Sequence, residues 1–170
     1  MRKALGALEP VATQTAATSE TLGHFGRALV LAGQHARAEL VFRQASQRFP
    51  TDPDVLPHLA AVAQRLGHLD EARQALVRYS ALVDEDRERA SQAVRIADLS
   101  MALSDAAAAV AWYQKSEALG GSDVALLIRL ADAQAKAGQI DEARATAARA
   151  LQKDPADASA RSLARRLQAR

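Results

Sequence analysis

The chain has 170 residues, no cysteine, a formal net charge of +2, and 49% hydrophobic residues of which few are aromatic. Disulfides, thiolate metal sites and cysteine nucleophiles are therefore excluded, and the near balance of acids and bases is not the footprint of a dedicated nucleic-acid binder. Alanine and leucine dominate the apolar residues, which favours closely packed helices. No two-residue alternation of β-branched and aromatic residues points to strands, and no apolar run reaches the ~20 residues that cross a bilayer.

Residues 1–18 form a leader or a partial repeat. The basic opening, Met1-Arg2-Lys3, is followed by an apolar run that Glu9 and Pro10 cut short. This reads as no signal peptide and favours a cytoplasmic location. Ala4, Leu5, Ala7 and Leu8 line one face of a short helix that Pro10 is expected to end or kink.

From Ser19, read as an N-cap, the pattern is regular. Leu22, Phe25, Gly26 and Leu29 recur at helical spacing. Gly33 turns the chain, Ala38, Phe42 and Ala45 mark a second helix, and Pro50 closes it. The next unit repeats this with Leu56, Leu59, Ala60 and Ala63, then Gly67, then Ala72, Leu76 and Tyr79. Pro57 is tolerated in a first turn if Asp54 caps the helix. The third copy is degenerate: Ala93, Ile96, Ala97 and Ser100, then Ser104 in the place of glycine, then Ala109, Tyr113 and Ser116. About three extra residues near Arg87–Arg89 precede it, which implies a longer first helix. The fourth has Leu127, Leu130, Ala131 and Gln134, then Gly138, then Ala143, Ala147 and Ala150, closed by Pro155.

These residues, and the hinge Gly67-His-Leu-Asp-Glu-Ala-Arg73 that returns as Gly138-Gln-Ile-Asp-Glu-Ala-Arg144, resemble the tetratricopeptide repeat (TPR) family with its 34-residue period. The resemblance implies an all-α, right-handed superhelical solenoid of stacked antiparallel helix pairs. Four repeats are expected at 19–52, 53–86, 90–123 and 124–157, with a capping helix at 158–170. Gly26, Ala60, Ala97 and Ala131 share one register position, and Ala38, Ala72, Ala109 and Ala143 another; a larger side chain there pushes neighbouring helices apart. In each hinge the acidic pair, such as Asp70 and Glu71, is structural, placed favourably at a helix N-terminus.

Catalytic chemistry has no foothold. The serines and histidines are scattered, with no G-x-S-x-G motif, and Gly120-Gly121 reads as a turn rather than a phosphate loop. The acidic cluster Asp84-Glu85-Asp86 with Glu88 lacks EF-hand spacing and reads as a solvated loop. His24 and His58 are one period apart. Neighbouring helices lie roughly 8–10 Å apart, whereas a metal needs each nitrogen at about 2 Å, so no metal or cofactor is expected. Trp112 is either a packing residue on the flank of the third pair or an exposed anchor for a partner.

The resemblance further implies that first helices line a concave groove. Its positions read His24, His58, Arg95 and Arg129; then Arg27, Ala61, Asp98 and Asp132; then Leu31, Arg65, Ala102 and Lys136, flanked by Val30, Gln64, Met101 and Ala135. This is a partly basic surface for a peptide or partner helix of acidic character. The competing reading is that Arg95 with Asp98, and Arg129 with Asp132, form i,i+3 pairs along exposed helices. The family's clamp for a peptide's terminal carboxylate falls on Gly23, Arg27, His58, Ser91 and Arg95, of which only Arg95 matches. The expected function is a non-catalytic interaction module. The alternative is a structural subunit, a homo-oligomer or a fragment of a larger assembly, using its ends or convex face.

Overall fold

A computed structural model describes residues 2–12, 14 and 16–169, giving only the backbone for 2–5 and 8. Among them regular structure is entirely helical: α1 Arg2–Ala12, α2 Ser19–Leu31, α3 His35–Arg48, α4 Leu56–Arg65, α5 Leu69–Leu82, α6 Asp86–Ala102, α7 Ala106–Ala118, α8 Val124–Lys136, α9 Ile140–Lys153 and α10 Ala158–Gln168. None of these helices is long and apolar enough to cross a membrane. The chain forms two compact units, 1–83 and 84–170.

The pairs α2–α3, α4–α5, α6–α7 and α8–α9 follow from one turn used four times. In the first, Gly33 N–H donates to Val30 O and Gln34 N–H to Leu29 O, which satisfies the last carbonyls of α2 and requires a left-handed residue between the helices. Gly33, Gly67 and Gly138 supply it with φ of 74°, 81° and 83°. Ser104 supplies it in the third pair with φ 62°, its N–H donating to Met101 O and the Asp105 N–H to Ser100 O. A Cβ is strained in that region, so the third turn is the costly one.

Below the turns the expected stripes are buried. In unit 1 Leu22, Leu29, Phe42, Leu56 and Leu76 are at most 1% exposed. In unit 2 Ala97, Ala109, Val110 and Tyr113 pack with Leu126, Leu130 and Ala133. Ala131, Ala143 and Ala147 pack with Leu163 and Leu167 of α10, which lies against both α8 and α9.

Five local expectations are corrected. Pro10 does not end α1, which runs on to Ala12, although a proline there lacks the N–H that would bond to the carbonyl four residues back. The side chains of Ala4, Leu5 and Leu8 lie outside the described residues, and Ala7 is exposed. Thr18, not Ser19, caps α2, its Oγ1 accepting from Thr21 N–H at 3.2 Å. Asp54 does not cap α4, which starts at Leu56 and keeps Pro57 in its first turn. The Asp54 N–H donates instead to Asp52 Oδ1 at 2.9 Å. Tyr79 is half-buried rather than core. Finally, α6 begins at Asp86, so Asp86 and Glu88 belong to a helical first turn rather than a loop, where the helix dipole favours them.

Candidate functional site

In unit 1 the first helices are α2 and α4, and they are set apart by one aromatic ring. Phe42 of α3 is fully buried. A Cβ added at Gly26 would meet its ring at 2.5 Å, so glycine is the residue that admits it. Against Phe42 stacks His58 of α4, centroids 5.4 Å apart and planes 17° from parallel. Burial, and secondarily the neighbouring Arg27 charge, hold the His58 imidazole below its ordinary pKa. His24 is engaged within α2, its Nδ1 3.1 Å from Arg27 Nη2 and its Nε2 3.6 Å from Glu20. Leu31 is 69% exposed. Neither Arg27 nor Arg65 meets a carboxylate among the described residues.

The second helices of unit 1 carry a different cluster. Arg43 of α3 holds Glu71 of α5 in a two-point pair, Nε to Oε1 at 2.6 Å and Nη2 to Oε2. The same guanidinium lies 3.7 Å from buried Glu39, which also meets His68 Nδ1 at 2.7 Å. The Arg43 hydrogen bond lowers the pKa of Glu71 and raises that of Arg43. Glu39, His68 and Glu71 bring donor atoms within 4.8 Å of one another. Arg43, however, already sits between the two carboxylates, and the set joins α3 to α5 as an ion-pair network.

In unit 2 the first helices are tied together by charge. Asp98 of α6 accepts from Arg129 of α8 at 3.0 Å and from the Tyr113 hydroxyl of α7 at 2.5 Å. Burial, then the bond to Asp98, pushes the Tyr113 pKa up. Asp132 of α8 meets Arg166 of α10 at 3.2 Å and Lys136 one turn on at 2.9 Å. The expected pairs within one helix, Arg95 with Asp98 and Arg129 with Asp132, are thus replaced. Asp98 is claimed across the helix packing, and Arg95 donates to Gln92 at 3.0 Å. Met101 and Trp112 pack half-buried against the unit 2 core, with the Lys115 ammonium 4.5 Å from the indole centroid.

Between α8 and α10 lies an open cleft of about 580 Å³, floored by Ile128 and Leu163 and rimmed by Arg129, Asp132, Ser159, Ser162 and Arg166. A smaller one of about 300 Å³ adjoins it at Ala135, Lys136 and Leu167. Of the groove residues expected from sequence, Arg129, Asp132, Ala135 and Lys136 line this region; Ile128, Ser159, Ser162 and Arg166 were missed. One signal was available for Arg166: it stands one 34-residue period after Asp132.

Stacked helix pairs turned by a left-handed residue, with side chains presented from the first helices, define a helical repeat protein. A family model described as tetratricopeptide repeat matches residues 29–95 and 100–167, and the chain belongs to that family. Among solved structures it is similar to YrrB, described as a TPR protein with an unusual peptide-binding site. The identity is 17% and the TM-score 0.72, over 98% of this chain and 84% of that one. It is also similar to MamA, at 15% identity and TM-score 0.72 over 89% and 81%. A tetratricopeptide repeat protein from Parabacteroides merdae ATCC 43184 follows at 15% and 0.68, over 96% and 62%. These likenesses establish the fold. No curated protein matches the chain in sequence.

Proposed function

We propose that the chain is a non-catalytic protein-interaction module that takes a peptide or partner helix on its first-helix faces, with the α8–α10 cleft as the seat in unit 2. The observation that carries this is the cleft itself: an apolar floor with hydroxyl and charged groups on its rim, the character of a recognition site rather than of a packing defect. The peptide-binding description of YrrB supports the reading. Because Arg129 and Arg166 are each met by a carboxylate, this seat is close to neutral and suits an amphipathic segment. The cations Arg27 and Arg65 leave the unit 1 face with the more basic character, beside His24, His58 and Leu31.

A displayed peptide library selected on the wild-type protein tests the proposal, with Ser162→Trp filling the cleft from an exposed position. Selected peptides are expected to shift the amide resonances of Ile128, Arg129 and Ser162 and to lose affinity for Ser162→Trp. Peptides that bind both proteins equally would sink the cleft as the site.

A second reading is self-association. The exposed large apolar side chains among the described residues, Val11, Leu31, Leu40 and Val77, all lie in unit 1, which is where such a surface would fall. Sedimentation equilibrium over a range of concentrations decides it: a constant monomer mass rules self-association out.

A further inference from the structure

Helix α10 has a second side, facing away from the cleft shared with α8, where its positive charge meets no carboxylate among the described residues. Between α9 and α10 runs a groove of about 390 Å³ lined by Leu151, Arg161, Ala164, Arg165 and Gln168. The four α10 residues are one 34-residue period after Leu127, Leu130, Ala131 and Gln134 of α8. In α2, α4, α6 and α8 the corresponding stripe is buried throughout and receives the second helix of the same pair. Gly26 faces Phe42, Ala97 packs with Ala109 and Tyr113, and Ala131 packs with Ala143 and Ala147. On α10 the stripe is half-buried at Ala164 and exposed at Arg161, Arg165 and Gln168. The groove therefore has the place and shape of a helix seat.

Its chemistry differs from that of the other seats. Arg165 stands where the four pairs have glycine or alanine, so a helix cannot close to ordinary packing distance and must stand off from the seat. Arg161, one turn earlier, replaces leucine or alanine. The Arg161 guanidinium donates only to Ala156 O at 2.8 Å, and Arg165 Nε to Arg161 O at 3.3 Å. Among the described residues neither meets a carboxylate. Two guanidiniums spaced i,i+4 match carboxylates at the same spacing on an opposing helix, while Leu151 and Ala164 offer the apolar strip between them.

We infer that the α9–α10 groove is a second docking surface, distinct from the first-helix faces, whose occupant is an acidic amphipathic helix of a partner protein. The probe is a fluorescent, lactam-stapled helical peptide of leucine, alanine and glutamate with glutamates four residues apart, followed by anisotropy at low salt. Binding is expected to weaken at least about tenfold in Arg161→Gln/Arg165→Gln. The melting temperature should be unchanged, because both side chains are exposed. Arg27→Gln/Arg65→Gln should bind as wild type, and a lysine-for-glutamate peptide should not bind. Four results would each overturn the inference: no saturable binding by wild type, affinity retained in the α10 double variant, a loss that follows Arg27 and Arg65 instead, or equal binding of the lysine peptide. A failure here leaves the Ser162→Trp test of the α8–α10 cleft untouched.

Discussion

Units 1 and 2 are built from the same helix pair, yet they hold their first helices in different ways. In unit 1 a single large ring does it: Phe42 sits between Gly26 and His58, while α3 is ion-paired to α5 through Arg43–Glu71 and to α1 through Arg37–Glu9. In unit 2 the stripe of α6 is smaller, with Ala93 and Ser100 where unit 1 has leucine or alanine. There Asp98–Arg129 and Asp132–Arg166 fasten α6 to α8 and α8 to α10. The difference has a consequence for recognition. In unit 1 Arg27 and Arg65 meet no carboxylate among the described residues, whereas fastening by charge pairs Arg129 and Arg166.

The comparison can be broken most forcefully at Phe42. Replacing a buried phenylalanine by alanine costs about 3–5 kcal/mol, and the loss should fall on unit 1, since repeat arrays respond locally. Trp112 is the one tryptophan and lies in unit 2. In Phe42→Ala, far-UV dichroism is expected to fall at lower denaturant than tryptophan fluorescence. Coincident transitions at a lowered midpoint would show that the units do not differ in this way.

A smaller effect of opposite sign is expected at the third turn. Ser104 holds a left-handed φ that glycine holds in the other pairs. Ser104→Gly should stabilise unit 2 by about 0.5–1 kcal/mol, the relief of strain being partly offset by the freer unfolded chain. A rise in the midpoint of the Trp112 transition checks it.

The smallest effect concerns pH. His58 has a depressed folded-state pKa, so the unfolded chain binds the proton more readily. Stability is then constant above the unfolded value of about 6.5 and declines as pH falls from there toward the folded pKa. His58→Gln should flatten that slope. An unchanged slope in denaturation midpoints measured between neutral and mildly acidic pH would remove His58 as its source.

Much of the architecture is legible from residues whose demands are local. Glycine at 33, 67 and 138 announces a left-handed turn because other residues pay for that φ. Alanine at 72, 97, 109, 131 and 143 announces close packing because nothing larger fits. Even Ser104 is readable as the odd turn, from period alone. The candidate site is less legible. His58 has the spacing of a groove residue but also stacks on the core ring. Met101, expected on the groove flank, packs instead against the unit 2 core. Helical register says which way a side chain leaves its own axis, and these two side chains are turned by what they meet there.

Charge pairing separates the two levels most clearly. By itself the sequence determined the period, the helix pairs, the turns and the small-residue positions, since each follows from a residue's own sterics and backbone preference. Only the tertiary structure decided that Arg129 takes Asp98 on α6 and not Asp132 on its own helix. It likewise decided that Asp132 is met by Arg166, and that Arg161 and Arg165 meet no carboxylate among the described residues. An ion pair depends on the reach of long side chains across a packed interface, and its partner, some thirty residues away in the chain, becomes a neighbour only when the repeats stack.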